Sequence, residues 1–303
     1  MGAELQLAVT ADLHWGHGGR GEDATRLLAS FLHTQTPDVL ILAGDIGTGY
    51  LFGECLQLFA DLPCRKALVP GNHDLWVGPE DRRDSLHLYR EDLPATCRQY
   101  GFHYLDQGPL LLPEFGLALV GSINWYDYSW SREKLQRDYP GEDERLSSKQ
   151  FTRGRHNDVN FVRWPLDDAR FTARVVDTLA QQLHQVLLTQ VERVIVVTHH
   201  PPMRCISFPE KQAPLTLDDL LWEAFGGNRA MEELLARHAE RIAFAFCGHT
   251  HRARQGSWHG IRGYNVGGDY HFKRLLWLNW PSGIVTEHPF GDCNPSRARS
   301  AAE

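Results

Sequence analysis

The sequence predicts an α/β protein built on parallel strands, and three observations carry that prediction. Short apolar runs of strand length alternate with helix-length segments through the first half of the chain. The runs are near-continuously apolar, as expected of parallel strands covered on both faces. Each ends abruptly and hands over to polar side chains, the way an α/β sheet delivers chemistry to one edge.

The elements follow in order. The first strand, residues 5–10, runs into Ala11-Asp12-Leu13-His14. Alternation aims Asp12 and His14 the same way if the backbone stays extended. Gly16, Gly18, Gly19 and Gly21 read as a flexible loop, and Leu27, Leu28, Phe31 and Leu32 predict a helix over 27–33. The second strand, 39–43, closes at Gly44-Asp45, and a helix over 51–62 stops at Pro63. The third, Ala67 to Val69, ends at Pro70-Gly71 and at once presents Asn72, His73 and Asp74. This βαβαβ order favours a parallel sheet with right-handed crossovers. The charged stretch 80–100 reads as partly helical, with short strands near 102–105, 110–112 and 117–121.

Residues 122–168 differ. Trp125, Tyr126, Tyr128, Trp130, Tyr139 and Trp164 lie among many charges with little periodicity. The segment reads as a cap or insertion within a single domain over 1–294, and equally as a long surface excursion. Its aromatics fit ligand contact or packing alike. A helix over 169–188 follows, carrying Val175, Val176, Leu179, Leu183, Val186 and Leu187. Strand 194–198 ends at His199-His200. Past a proline-rich loop come helices at 217–225 and 229–239, then strand 242–247, ending at Gly248-His249-Thr250-His251. Segments 256–259, 261–265, 275–279 and 283–287 read as antiparallel strands joined by turns, and the polar tail from 295 as disordered.

Composition narrows the function. With 303 residues, 42% hydrophobic and 23% charged, the chain suits a globular protein with one large core. Its net charge of −7 disfavours a nucleic-acid duplex as partner. A small phosphate ester stays open, because bound metal ions would neutralise its charge. No apolar run is long enough to span a bilayer, so no membrane partner is expected. Met1-Gly2-Ala3-Glu4 lacks the basic and apolar segments of a signal peptide. Cys55, Cys64, Cys97, Cys205, Cys247 and Cys293 are scattered without a CxxC pair and read as reduced and mostly structural. The expected location is cytoplasmic; the oligomeric state is not legible.

The polar residues at five strand ends form one set: Asp12, His14, Asp45, Asn72, His73, His199, His249 and His251. Carboxylates, imidazoles and an amide suit divalent Mn, Fe, Zn or Co. Even seven of these as ligands exceed one ion with a reactive water, whereas two ions sharing a carboxylate accommodate them. Two metals ~3.5–4 Å apart clamp the attacking and leaving oxygens of an in-line displacement and make hydroxide available near neutrality. No GxSxG and no P-loop is present. Taken singly, Asp12-x-His14 and Gly44-Asp45 read as turns, and Asn72 as an Asx-turn residue. Gly248-His249-Thr250-His251 is the most specific block, since packing does not explain two alternate histidines after a buried strand. His17, His33, His87, His103, His156, His184, His238, His259 and His271 read as surface or satisfied histidines.

Asp12-x-His14, Gly44-Asp45, Gly71-Asn72-His73-Asp74, His199 and Gly248-His249-x-His251, in this order, resemble the signature of the calcineurin-like metallophosphoesterases. The resemblance covers roughly residues 5–75 and 190–270. It implies a four-layer αββα sandwich of two mixed sheets flanked by helices. It implies Asp12, His14 and His251 on a first metal, Asn72, His199 and His249 on a second, and Asp45 bridging them. His73 would sit beside the leaving group as general acid or transition-state stabiliser. Asp74 would orient His73 or brace the loop. His199 is favoured over His200 as ligand because it directly leaves the strand; His200 would face substrate or support the loop.

The implied activity is hydrolysis of a phosphate ester by a metal-bridging hydroxide. The His199-His200-Pro201-Pro202 block leans toward phosphodiesters. Alternatives are a protein or nucleotide phosphomonoesterase, a nuclease using Arg82-Arg83 and Arg153-Gly154-Arg155 for phosphate contacts, and a metal-binding scaffold without turnover. Residues 122–168 are the expected source of substrate choice.

Overall fold

Alternation inside each apolar run sorts its side chains to two faces, and both faces are covered. A computed structural model describes residues 4–209 and 211–291; the tail from 295 and Cys293 lie outside the described residues. Among the described residues there are twelve strands: β1 (Leu5–Thr10), β2 (Val39–Ala43), β3 (Arg65–Val69), β4 (Phe102–Tyr104), β5 (Leu110–Leu112), β6 (Leu117–Ser122), β7 (Arg193–Thr198), β8 (Ile242–Cys247), β9 (Arg254–Trp258), β10 (Ile261–Asn265), β11 (Lys273–Trp280) and β12 (Ile284–Phe290). They make two six-stranded sheets, ordered β12-β11-β1-β2-β3-β4 and β5-β6-β7-β8-β10-β9. Strands β1 to β4 are mutually parallel, with β11 and β12 added antiparallel. In the second sheet β6, β7, β8 and β10 are parallel, flanked by antiparallel β5 and β9. The expected antiparallel pairing of 261–265 therefore holds on the β9 side and fails on the β8 side.

Odd-numbered residues of β1 and β2 (Leu5, Leu7, Val9, Val39, Ile41) meet Leu117, Leu119, Ile195, Val197, Phe244 and Phe246 across the gap between the sheets. Even-numbered residues (Ala8, Leu40, Leu42, Leu68) pack outward on Leu28, Leu32, Phe52 and Leu56 of helices Gly19–Thr34 and Tyr50–Gln57. On the other side, Ala118, Val120, Val194 and Val196 meet Val176, Leu179, Leu183 and Val186 of helix Asp168–Leu187 and Met231, Leu234 and Leu235 of helix Arg229–Arg237. The result is helix, sheet, sheet, helix: the four-layer sandwich. Each fully buried aliphatic side chain contributes about 1.5–3 kcal/mol before entropy is counted. The first helix starts earlier than its apolar pattern, so Gly19 and Gly21 belong to its first turn rather than to the loop.

The 122–168 segment is pinned down by its aromatics. Trp125, Tyr126 and Trp130 are fully buried, beside Phe171 and Phe225. Trp125 Nε1 donates to Asp168 Oδ1 at 2.9 Å, and the Tyr128 hydroxyl and Lys149 also bond that carboxylate. These rings pack the segment onto the body instead of facing a ligand. No helix among the described residues is long and apolar enough to cross a membrane.

Asp106 gives the fold a pH dependence. It is buried, and its Oδ1 accepts from Tyr89 Oη (2.6 Å) and Ile123 N (2.9 Å), while Oδ2 has no partner. Burial pushes its carboxyl up to about 6, against the two hydrogen bonds. The folded state then holds a proton that the unfolded chain releases near pH 4, so this stability is present at low pH and lost as pH rises through about 6. Urea unfolding of wild type and Asp106→Asn between pH 4.5 and 7 should show the wild type losing about 2–3 kcal/mol relative to the variant as pH rises. Parallel curves would refute the assignment.

Candidate metal centre

The ends of β1, β2 and β3 from one sheet and β7 and β8 from the other meet along one edge. Backbone bonds join the first two loops: Asp12 N to Gly44 O at 3.0 Å and His14 N to Asp45 O at 2.8 Å. These bonds turn the chain out of the extended path, contrary to expectation. Asp12, His14, Asp45, His249 and His251 all have positive φ, between 44° and 73°. Left-handed backbone at non-glycine residues costs on the order of 1 kcal/mol each and marks sites where geometry is imposed by the surroundings. Glycines make the approach possible. Gly44 has φ 87° and lies against the His199 ring, and a Cβ on Gly71 would collide with Asp45 Oδ1 and its backbone nitrogen.

All eight sequence-derived residues come together. Asp45 is central: its Oδ2 lies 3.6 Å from His14 Nε2 and 3.9 Å from His73 Nε2, and its Oδ1 lies 3.3 Å from His199 Nε2. On one side, Asp12, His14, Asp45 and His251 hold their ligand atoms within 4.8 Å of one another. On the other, Asn72 Oδ1 lies 3.1 Å from His199 Nε2 and 3.3 Å from His249 Nδ1. Thus the two oxygens of Asp45 face the two groups. Asp74 accepts from Ile46 N, Gly47 N and Gly71 N at 2.7–2.9 Å, so it braces the loops rather than touching His73. His200 is buried against Trp125 and Tyr126, in a supporting position.

The electrostatics fit divalent cations. Burial pushes the Asp12 carboxyl up to about 7, with Asp45 nearby adding to it, and Asp12 Oδ2 is buried with no hydrogen-bond partner. Burial opposes ionisation of Asp45 too, but the His199, His73 and His14 imidazoles outweigh it and hold its carboxyl well below the usual range. Reciprocally, burial opposes protonation of His199, and Asp45 outweighs it to raise that ring to about 9. Burial lowers His14 and His249 well below their ordinary value, and His73 and His251 to about 4. His14, His249 and His251 are neutral and offer the lone pairs a metal ion requires of its donors, whereas His199 has to release its proton to serve as one. His14 Nε2 and His251 Nε2 stand only 2.9 Å apart, two ring nitrogens aimed at one point.

Several neighbours escaped the sequence reading. Asp158 and His156, from the 122–168 segment, are buried beside Asn72 and His249. Trp76 stacks on His73 with centroids 3.6 Å apart. His17, read as an ordinary surface histidine, is exposed but stands at the rim, grouped with His14 and His73; Tyr270 lies over His14. The short interval from His14 to His17 and the aromatic after Gly268-Asp269 were the only available hints. Asp158 had none, because nothing in its own neighbourhood has a period.

Gly71→Ala should fold but lower Mn²⁺ affinity by at least about tenfold, with about 1–3 kcal/mol lost from overpacking. Gly78→Ala, where a Cβ meets nothing within 4 Å, should change neither quantity. Titration calorimetry and urea unfolding measure both.

The calcineurin-like phosphoesterase family model matches residues 5–253. No curated protein sequence matches the chain. Among solved structures, a phosphopantetheinyl hydrolase from Mycobacterium tuberculosis is similar, with a TM-score of 0.68, 22% identity and coverage of 98% of this chain and 99% of that one. A dimetal phosphatase from Danio rerio is similar at TM-score 0.56 and 14% identity, covering 95% of this chain and 98% of that one. The match across five-sixths of the sequence, together with two mixed sheets whose edge gathers aspartate and histidine side chains, shows that the chain belongs to the calcineurin-like phosphoesterases, metal-dependent hydrolases of phosphate esters.

Proposed function

We propose that the protein hydrolyses a phosphodiester at a dinuclear centre, within a single domain over 1–294 into which 122–168 is inserted. The observation that carries this reading is Asp45, whose oxygens face His14 on one side and His199 on the other. Asp12, His14 and His251 would hold one divalent ion, Asn72, His199 and His249 the other, and Asp45 both. The ions, Mn, Fe, Zn or Co by donor type, would supply water activation and charge neutralisation at the phosphorus.

The chain's own residues supply orientation and the leaving-group contact. His73 projects from the same loop as Asn72, with Nε2 3.9 Å from Asp45 Oδ2, and assists departure of the leaving oxygen. Trp76, stacked on His73, limits its rotation. The preference for diesters rests on the His199-His200-Pro201-Pro202 block. Arg83 is engaged by Asp81 and Asp92, which removes one of the cations a nuclease reading requires. Buried, unpaired Cys55, Cys97 and Cys247 support a reducing, cytoplasmic setting.

With Mn²⁺ loaded, bis(p-nitrophenyl) phosphate should turn over faster than p-nitrophenyl phosphate. His73→Ala should lower kcat on the diester by about 10²-fold or more. Asp45→Asn should abolish metal-dependent turnover, and full activity in that variant would exclude the mechanism. The reverse ester preference would indicate a phosphomonoesterase. Two bound ions without turnover of either ester, nor of a phosphopantetheinyl conjugate, would favour the scaffold reading.

A further inference from the structure

We propose that Asp158, in the inserted segment, is a positioning residue for the metal centre: it fixes which end of the Asn72 amide faces the site. This rests on the reading above that Asn72 holds an ion. Asp158 is 1% exposed, and its Oδ1 accepts from Asn72 Nδ2 at 2.9 Å and from Trp76 Nε1 at 2.8 Å. Its Oδ2 accepts from Tyr126 Oη at 2.8 Å and lies 3.3 Å from His156 Nδ1.

An ionised carboxylate only accepts. Asn72 must therefore turn its NH₂ toward Asp158, which leaves Oδ1 aimed at His199 and His249. Only that end of an amide has a lone pair to give a cation. Rotated by half a turn, the same side chain would present N–H groups to the ion. The bond to Trp76 extends the effect, since Trp76 stacks on His73. One carboxylate from 86 residues away in sequence thus holds a metal donor directly and the leaving-group histidine through an indole. The inserted segment is then part of the metal site, and removing it would cost metal as well as substrate selection.

The test is Mn²⁺ titration calorimetry on the full chain, with metal-free thermal unfolding as a folding check. Asp158→Asn should weaken one of the two Mn²⁺ sites by about 10–100-fold. The effect should vanish in an Asn72→Ala background, because Asp158 acts through that amide. Asp158→Glu, which keeps an acceptor-only group, should recover affinity relative to Asp158→Asn, and it stands in if the latter does not fold. Tyr126→Phe removes a different donor to Asp158 and should reduce stability while leaving Mn²⁺ affinity unchanged. Wild-type affinity in Asp158→Asn, or an equal loss with and without Asn72, or an equal loss in Tyr126→Phe, would overturn the proposal. Asn72→Ala binding both ions as tightly as wild type would instead bring down the ligand assignment beneath it.

Discussion

Asp45 sits 1% exposed at the end of β2, with three imidazoles within 3.3–3.9 Å of its carboxylate and the backbone N–H of His73 bonded to Oδ1 at 3.0 Å. A carboxylate this deep is strongly disfavoured unless positive charge and donors surround it. Much of the local architecture serves that requirement. His14 comes from β1, His73 from β3 and His199 from the second sheet, so the two sheets must pack with their strand ends in register. Glycine at positions 44 and 71 lets the neighbouring loops close on it. Left-handed backbone at Asp45 itself and at Asp12, His14, His249 and His251 around it is the strain that accompanies the convergence.

That strain is sustained by a core that is apolar on every face. The gap between the sheets is filled by aliphatic and phenylalanine side chains, and both outer faces are covered by helices. A rigid platform of parallel strands can hold short loops in unfavourable conformations, because relaxing one loop would require moving a strand paired on both sides. The polar edge and the apolar interior are therefore one design: the interior fixes the strand ends, and the strand ends fix the donors.

The 122–168 segment joins this arrangement from outside the strand ends. Its aromatics pack on Phe171 and Phe225, and Asp158 carries the contact onward to Asn72 and Trp76. Around His14 this edge also gathers His17, Trp76 stacked on His73, and Tyr270.

The sequence alone determined the strands, most of the helices and the eight polar residues at the strand ends, because each of these is written locally. A run such as Val39–Ala43 followed by Gly44-Asp45 carries its own strand, its own stop and its own polar end. It did not reveal that β10 pairs parallel to β8, nor that Asp12 and His14 leave the extended path, because both depend on hydrogen bonds to distant segments. Nor did it reveal whether the aromatics of 122–168 face a ligand or the core. That choice is made by Phe171 and Phe225, which lie beyond the segment in sequence, and by Asp168 at its very end. Asp158 is the sharpest case. An isolated aspartate between His156-Asn157 and Val159 has no period or motif, and only tertiary packing brings its carboxylate to an amide 86 residues away.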